Sequence, residues 1–471
     1  MKKILTTKIF RFFTIILLII LVVGISYYFI NIYRINKSYH RLYRSENIVG
    51  LRKFPYPYRA ALSICSDIDN TSTVEEFLKI QEFLNTKNMT EVGEGIGLEI
   101  GNSFFMYAKG NSKDFSYLSE NPLDRIVIRK FIKAGYIDCL HSFGDGMKDR
   151  NDAIIALNEL NANNIKVAVW INHAFAKNNL GRWFPTDLGD NIDSEYYHAD
   201  HTILYGIKFI DLGSSTSIIG QATPINLNML TRSFNKKYFW DSVRNSYKAF
   251  SKHVFSVFGF YQSRYSMHET NDLVKITTLD DGQKVYEFMR FDNHPKGIGN
   301  GANSRGTAYN ISKRVLEKLK EVNGYIIVYT HLGKNSDCDG GIAEETIEAL
   351  RHLEKQYRSG EIYVTTTLKL LNYYITHKYL NWTYNMDNEE IVITIHNIDD
   401  PIFGKKVPTI QDLQGITFYI PSGKKGRIFI NDEEIKTVHN PADRTNRESV
   451  TIPLVFLEYP SLAEELTFVS Y

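Results

Sequence analysis

The sequence contains little cysteine and almost no net charge. Its three cysteines, Cys65, Cys139 and Cys338, are odd in number and spread along 471 residues, which excludes a disulfide framework and a cysteine-based zinc site. The 55 basic residues are balanced by 53 acidic ones, so the chain lacks the basic surface that nucleic-acid binding usually needs. With 43% apolar and 23% charged residues, the chain is not disordered either. The composition therefore indicates a folded protein with room for about two or three domains and no nucleic-acid partner.

The sequence contains one long uncharged run, which covers residues 12–30. A run of this length approaches the roughly 20 residues that a helix needs to cross a hydrocarbon core. A cleaved signal peptide is the alternative, but Tyr27 and Tyr28 at the end of the run are typical of a membrane interface. Equal numbers of basic residues flank the run, so charge does not fix its orientation. We predict a tail over residues 1–11, an uncleaved transmembrane anchor over 12–30 and a stalk over 31–57.

Beyond the stalk, short β-like runs alternate with amphipathic helical segments over residues 58–378. Clear examples of the strand-like runs are Ala60–Ser66 and Tyr325–Thr330. Strands that alternate with helices pair in parallel, and an array of this length is typical of a barrel or a doubly wound sheet. A polar insertion that contains a β-hairpin is predicted over residues 262–306. Residues 379–471 carry short strands separated by turn residues, which predicts a small β-sandwich.

Acidic residues and histidines stand at the ends of several predicted strands. In parallel α/β folds, ligand sites lie at the carboxyl ends of the strands, so these positions are candidates for chemistry. A single Asp at such a place often only caps a helix. Several strand ends with His or Asp, in a chain with 13 histidines, instead predict a shared active site. Paired carboxylates suit a metal ligand and a general base, and a His and an Asp four residues apart suit a metal. The candidates are Asp67 with Asp69, His141 with Asp145, Asn172 with His173, His198 in a polar segment before a strand, and His331.

Three of these segments resemble motifs of the polysaccharide deacetylase family, also called the NodB-homology family or carbohydrate esterase family 4. Ser66-Asp67-Ile68-Asp69 resembles the first motif, a strand that ends in Thr-Phe-Asp-Asp-Gly, with one residue inserted between the aspartates. The segment from His141 to Asp145 is similar to the His-Ser/Thr-x-x-His motif, with Asp in place of the second histidine. The apolar strand that ends at His331 resembles the late motif of the family. The resemblance covers about residues 58–375.

The resemblance implies a distorted (β/α) barrel of the polysaccharide-deacetylase type, here preceded by the transmembrane helix and followed by the β-sandwich. It implies a hydrolase that uses a divalent metal, zinc as the first expectation and manganese, cobalt or nickel as alternatives. The substrate is then an acetylated cell-surface glycan, which places the globular part outside the cytoplasm. The implied roles are Asp67 as general base, His331 as general acid, Asp69, His141 and Asp145 as metal ligands, and Asn172, His173 and His198 as substrate contacts.

Two other functions fit parts of the same sequence. The segment Asp67-Ile68-Asp69-Asn70-Thr71 also matches the Asp-x-Asp-x-Thr motif of haloacid-dehalogenase-like phosphatases, whose first Asp is a nucleophile. The segment from Gly144 to Asp149 resembles their magnesium-binding motif. This interpretation uses only residues 67–149 and leaves the histidines at the strand ends without a role. A barrel that binds glycans without catalysis is the other alternative.

Overall fold

The structure of the protein is a computed structural model with an N-terminal helix, an α/β barrel and a C-terminal pair of sheets. It describes residues 2–42, 48–68, 71–107, 115–144, 148–173, 176–181, 184–260, 262–334, 341–386 and 389–462, and the side chains of the first helix from 14 to 40. The helices are α1 (Lys2–Leu42), α2 (Val74–Asn85), α3 (Pro122–Ala134), α4 (Arg150–Ala162), α5 (Ala199–Tyr205), α6 (Leu227–Thr231), α7 (Phe239–Val257), α8 (Gln262–Tyr265), α9 (Met267–Thr270), α10 (Ile298–Gly301), α11 (Ser304–Asn310), α12 (Lys313–Val322), α13 (Glu344–Arg358) and α14 (Thr367–Tyr379).

The strands belong to the barrel, to a small hairpin beside it and to the C-terminal sheets. They are β1 (Gly50–Leu51), β2 (Ala60–Ser66), β3 (Met89–Thr90), β4 (Gly93–Glu94), β5 (Gly101–Phe104), β6 (Ile137–His141), β7 (Val169–Ile171), β8 (Phe209–Thr216), β9 (Val274–Thr278), β10 (Lys284–Phe291), β11 (Tyr325–Thr330), β12 (Ile362–Val364), β13 (Leu380–Met386), β14 (Glu390–Asp400), β15 (Gly404–Lys406), β16 (Thr417–Ile420), β17 (Lys425–Ile430), β18 (Glu433–Ile435), β19 (Val438–Asn440) and β20 (Glu448–Thr451).

Local sequence signals explain where the helices around the barrel begin and end. Asn121 caps α3 by accepting a hydrogen bond from the backbone N–H of Leu123, and Gly135 ends it with a φ of 86°. Asp149 and Asp152 form a capping box at the start of α4. Each of these helices buries one apolar face against the barrel strands, which fixes the strands that carry the candidate residues.

Seven parallel strands of the described residues close into a barrel in the order β2-β5-β6-β7-β8-β10-β11, and β11 pairs again with β2. The closing pair runs from Tyr325 opposite Ala61 to Thr330 opposite Ser66. β12 pairs with the beginning of β2 and β5 with its end. Of the two architectures that the strand–helix alternation allowed, the barrel is therefore the one that forms. Because the strands are parallel, their carboxyl ends meet at one mouth.

The hairpin predicted within residues 262–306 forms, but it is not separate from the barrel. β9 pairs antiparallel with β10. β10 also pairs in parallel with β8 and with β11, and its side chains are buried from Val285 to Phe291. The interpretation of this region as an insertion therefore needs a correction, since β10 is a barrel strand. Apolar periodicity alone does not distinguish a hairpin strand from a strand that is paired on both sides.

α1 continues past residue 30, the predicted end of the anchor. Its segment Thr14–His40 is long and apolar enough to cross a membrane, a criterion that a signal sequence also meets. The side-chain amide of Asn36 donates to the backbone carbonyl of Ile225 at 2.9 Å and accepts from its N–H at 2.8 Å. The first part of the predicted stalk is thus helical and is bonded to the segment before α6.

The C-terminal residues form two sheets that share one apolar core. One sheet contains β13, β14, β15, β17 and β18, and the other contains β16, β19, β20 and the short β1. Ile393 and Ile428 of the first sheet pack in one cluster with Phe418 and Val450 of the second. Because β1 follows α1 in the chain, the segment between α1 and the barrel is tied to the C-terminal sheets.

Candidate active site

Asp67 directly follows β2 and lies buried at the mouth of the barrel, with 1% of its surface exposed. Its Oδ1 accepts a hydrogen bond from the hydroxyl of Ser103 on β5 at 3.0 Å. Its Oδ2 accepts one from Nη1 of Arg290 on β10 at 2.6 Å. Its backbone N–H donates to the carbonyl of Thr330 on β11 at 2.8 Å. Three barrel strands therefore fix the position of this carboxylate.

His331 follows β11, the barrel neighbour of β2. Its Nδ1 lies 2.6 Å from the carbonyl oxygen of Ala302. Because a carbonyl only accepts hydrogen bonds, Nδ1 carries a hydrogen and Nε2 is the ring nitrogen that faces Asp67. Nε2 lies 3.9 Å from Oδ2 of Asp67. The convergence expected from the strand ends is thus present for Asp67 and His331.

Arg290 joins two buried carboxylates below the mouth. Its Nη1 donates to Asp67 and its Nε donates to Asp211, while its guanidinium carbon lies 3.9 Å from the ring centroid of Tyr329. Burial disfavours the charge of Arg290, but Asp67 and Asp211 outweigh it and raise the pKa of the guanidinium well above its ordinary value. Burial raises the pKa of Asp211, and Arg290 opposes that shift. With both carboxylates ionised the trio carries one excess negative charge, which attracts a proton to the mouth.

His141 ends β6 and faces the other oxygen of Asp67. Its Nδ1 lies 3.4 Å from the hydroxyl oxygen of Ser103 and 3.8 Å from Oδ1 of Asp67. Its ring stacks on Phe105 with centroids 4.7 Å apart, and the ring of His173 lies 5.0 Å away. The strand ends of β2, β6 and β7 therefore place their polar side chains together, as the sequence predicted.

A cavity of about 270 Å³ opens beside these residues. His331, Arg290, Asp211 and His173 are among the side chains that line it. Its volume is slightly below the range for ligand sites, about 300 to 1,000 Å³. It therefore has room for a small group.

His198, a predicted substrate contact, has a structural role in this fold. Its Nδ1 lies 2.7 Å from the hydroxyl of Thr202, and its Nε2 lies 2.7 Å from the carbonyl of Asn178. Burial lowers the pKa of its imidazole to about 4, so the ring is neutral near pH 7. Both nitrogens are engaged inside the protein, and the ring does not belong to the cavity lining.

Asn172 and His173, the other predicted substrate contacts, both line the cavity. The amide of Asn172 accepts from the indole N–H of Trp170 and from the backbone N–H of Leu180, and it donates to the carbonyl of Leu180. Asn172 therefore holds the loop after β7 in place. His173 is the predicted substrate contact that the geometry favours.

The predicted metal site consists of Asp69, His141 and Asp145. Asp69 and Asp145 lie outside the described residues. Near His141, both oxygens of Asp67 already accept hydrogen bonds from protein groups. Over the ranges that the structure describes, no group of three His, Cys, Asp or Glu side chains is placed to hold a metal ion. The described side chains do not form a metal site by themselves, and a site on Asp69 and Asp145 stays a prediction.

Arg290 and Asp211 are site residues that the sequence analysis missed. Asp211 lies at the end of the apolar run that begins β8, which is the same signal that identified Asp67. Arg290 lies in β10, which the sequence pattern assigned to an insertion. Its side chain was therefore not among the candidates at the barrel mouth. Reading every strand end for acidic residues finds Asp211, whereas Arg290 requires the knowledge that β10 belongs to the barrel.

No family model matches this chain, and no curated protein or solved structure is significantly similar to it. The deacetylase motifs are therefore resemblances of short segments. The function must be argued from the side chains at the mouth of the barrel.

Glu287 on β10 is a further buried carboxylate, and its charge affects stability. Burial raises its pKa to about 7, although hydrogen bonds from Thr277 and Ser266 oppose the shift. Because the folded-state pKa is the higher one, the stability that Glu287 contributes is present below about pH 4.5 and is lost as the pH rises through 7. We expect Glu287→Gln to raise the free energy of unfolding at pH 8 by up to about 3 kcal/mol, and to change it little at pH 4.

Urea unfolding of the detergent-solubilised chain at both pH values measures this effect. The matched control is Glu345→Gln, because the side chain of Glu345 is 58% exposed. The control is expected to show no pH-dependent difference from the unmodified chain. An equal increase in the free energy of unfolding at pH 4 and pH 8 for Glu287→Gln would contradict a raised pKa of Glu287.

Proposed function

We propose that the protein is a membrane-anchored, deacetylase-like hydrolase that acts on an acetylated cell-surface glycan at the mouth of the barrel. The observation that carries the proposal is the facing pair of Asp67 and His331 on neighbouring parallel strands, 3.9 Å apart beside a cavity. Hydrolysis of an amide or ester needs one group that takes a proton from water and another that gives a proton to the leaving group. A buried carboxylate and an imidazole are suited to these two tasks.

In the proposed reaction, Asp67 takes a proton from water while the water oxygen forms a bond to the acetyl carbon. His331, protonated on Nε2, donates that proton to the leaving nitrogen or oxygen as its bond to the acetyl carbon breaks. Acetate and the free amine or alcohol are released. Transfer of the proton from Asp67 to His331 then restores both groups. The side chain of Asp67 is 0% exposed, so the proposed step requires a water molecule to reach it from the cavity past His331 and Arg290, which line that cavity.

Arg290 and Ser103 are positioning residues in this mechanism. They donate hydrogen bonds to different oxygens of Asp67 and so fix the plane of its carboxylate. The guanidinium charge also stabilises the ionised form of Asp67, which is the form that accepts a proton. Tyr329 covers the guanidinium and limits its contact with water.

The membrane part of the proposal is an uncleaved α1 that holds the globular part outside the cytoplasm, where a cell-surface glycan lies. The two hydrogen bonds between Asn36 and Ile225 support it, because they make the end of α1 part of the folded protein. A divalent metal held by Asp69, His141 and Asp145 remains a prediction within this proposal. The steps above use only side chains that the structure describes.

The role of His331 is tested by the dependence of the rate on the leaving group. We expect His331→Gln to lower kcat about 10²-fold for an N-acetylated glycan, because an amine leaves only when it is protonated. The same variant should lose only a few-fold with p-nitrophenyl acetate, whose leaving group needs no proton. The measurement compares the two rates for the full-length chain in detergent.

His396→Gln on β14 is the matched control, because this histidine is half-buried in the C-terminal sheets, where its Nε2 lies 2.8 Å from the hydroxyl of Thr383. It should leave both rates unchanged. An equal loss on both substrates for His331→Gln would show that His331 does not act as the general acid.

A further inference from the structure

The exposed face of α7 and the turn after it are rich in aromatic side chains. Trp240, Tyr247 and Phe260 are 80%, 70% and 62% exposed. Phe239, Phe250, Phe255 and Phe258 are exposed as well. Exposed large apolar side chains grouped on one element mark a candidate site of interaction with a protein or a membrane.

α7 packs along α1 in the opposite direction. Ala249 of α7 lies in one apolar cluster with Ile32 of α1. One turn later, the ring of His253 lies 5.7 Å from the ring of Tyr28. Later residues of α7 thus meet earlier residues of α1, so the end of α7 points toward the apolar run of α1.

The contact at the end of α7 lies within that run. A side chain at Gly24 would meet the ring of Phe258 at 3.9 Å. Gly24 precedes the end of the run at Ile30 by six residues, which is about 9 Å along a helix axis. When residues 12–30 cross a membrane, Phe258 must therefore lie about 9 Å inside the same end of the span.

The charge distribution along α7 fits this depth. Residues 253–263 contain no Asp, Glu, Lys or Arg. The preceding part of the helix carries Arg244, Lys248 and Lys252. An uncharged aromatic end next to a basic segment is typical of elements that insert into a bilayer with anionic head groups.

We propose that the end of α7 and residues 258–260 insert into the lipid bilayer beside α1 and form a second membrane contact. The proposal rests on the membrane part of the proposed function. The bilayer is the partner because Phe258 touches a residue inside the membrane-spanning run, and no soluble partner reaches that depth.

This insertion also determines where the cavity lies. Lys252 donates a hydrogen bond to the carbonyl of Ser215, a residue of the cavity lining, at 3.5 Å. Arg244 donates to the carbonyl of Pro295 at 2.9 Å, shortly before Ile298 and Gly299 of the same lining. α7 therefore holds the mouth of the barrel near the bilayer, within reach of a glycan at the membrane surface.

Depth-dependent fluorescence quenching tests the insertion in the full-length chain. Cys338 is replaced by serine, and the buried Cys65 and Cys139 stay in place. Single cysteines are introduced as Phe260→Cys, Ile20→Cys in α1 and Leu204→Cys on α5, which packs on α4. Leu204 is the matched control because it is 86% exposed. Each variant is labelled with NBD and reconstituted into phosphatidylcholine–phosphatidylglycerol vesicles that contain doxyl-labelled lipid.

The label at position 260 is expected to lose as large a fraction of its fluorescence as the label at position 20, and the label at position 204 very little. If the label at 260 is as little quenched as the label at 204 while the label at 20 is quenched, the insertion of α7 is overturned. The proposal that α1 crosses the membrane is then retained. Absence of quenching at 20 overturns the insertion together with the membrane part of the proposed function. Phe255→Cys, labelled in the same way, repeats the test at a second exposed position of α7.

Discussion

Replacement of Asp67 by asparagine is expected to lower the rate of acetate release from an acetylated glycan about 10³-fold. An amide does not take up a proton at neutral pH, yet it keeps the shape of the carboxylate. Arg290 retains Asp211 as its partner, so the substitution does not isolate a buried charge. The variant should therefore stay folded while it loses the base. The measurement is acetate release by the full-length chain in detergent, with thermal unfolding recorded in parallel.

The controls for Asp67→Asn separate the three functions that the sequence allows. Asp281→Asn, in the turn between β9 and β10, should retain the unmodified rate. An unmodified rate for Asp67→Asn would show that Asp67 is not the base. Turnover of p-nitrophenyl phosphate by the unmodified chain and its loss in Asp67→Asn would identify a phosphatase. Glycan binding without turnover of either substrate would identify a binding protein.

The structure already bears on the phosphatase alternative. Asp67, the nucleophile in that alternative, accepts a hydrogen bond from the hydroxyl of Ser103. Asp149, its magnesium ligand, instead accepts hydrogen bonds from the backbone N–H groups of Asn151 and Asp152 at the start of α4. Helix capping thus gives Oδ1 of Asp149 a role that needs no metal ion.

Replacement of Arg290 by methionine is expected to lower the free energy of unfolding by about 3–5 kcal/mol. The substitution leaves the carboxylates of Asp67 and Asp211 buried without the cation between them. Methionine fills much of the space of the arginine stem, so the loss arises mainly from uncompensated charge rather than from a cavity. Urea unfolding of the detergent-solubilised chain measures this loss.

Arg358→Met is the matched control for the loss of an ion pair. Arg358 donates to Glu354 at 2.8 Å, but its side chain is 52% exposed, so the control should cost about 0–1 kcal/mol. The double variant Arg290→Met with Asp211→Asn is expected to recover part of the loss, because one of the two stranded charges is removed. A loss for Arg290→Met no larger than that of the control would contradict a buried charge cluster.

Local patterns predicted the barrel elements, but not how they close. The alternation of strands and helices allowed both a barrel and an open sheet. The choice depends on the pairing of Ala61 with Tyr325, which are far apart in the chain. A hydrophobic period reports which face of a strand is buried and not which strand lies beside it. The same limit explains why the sequence pattern of β10 predicts part of an insertion instead of a barrel strand.

The candidate site was predicted where the chemistry follows an apolar run directly. Asp67, His141, His173 and His331 meet at the mouth because parallel strands end on one side. His198 follows no such strand end, and its ring is enclosed by local hydrogen bonds. A histidine that is satisfied inside the protein has the same appearance in a sequence as one that faces a cavity.

The sequence by itself determined the apolar helix, the parallel α/β class and the strand ends that carry Asp67 and His331, because these depend on the order of polar and apolar residues along short segments. Only the tertiary structure decided the closure of the barrel, the pairing of Arg290 with Asp67 and Asp211, and the contact of α7 with α1. Each of these joins residues far apart in the chain. Such contacts form only when the packed elements bring their side chains within a few ångströms, and no local pattern encodes that distance.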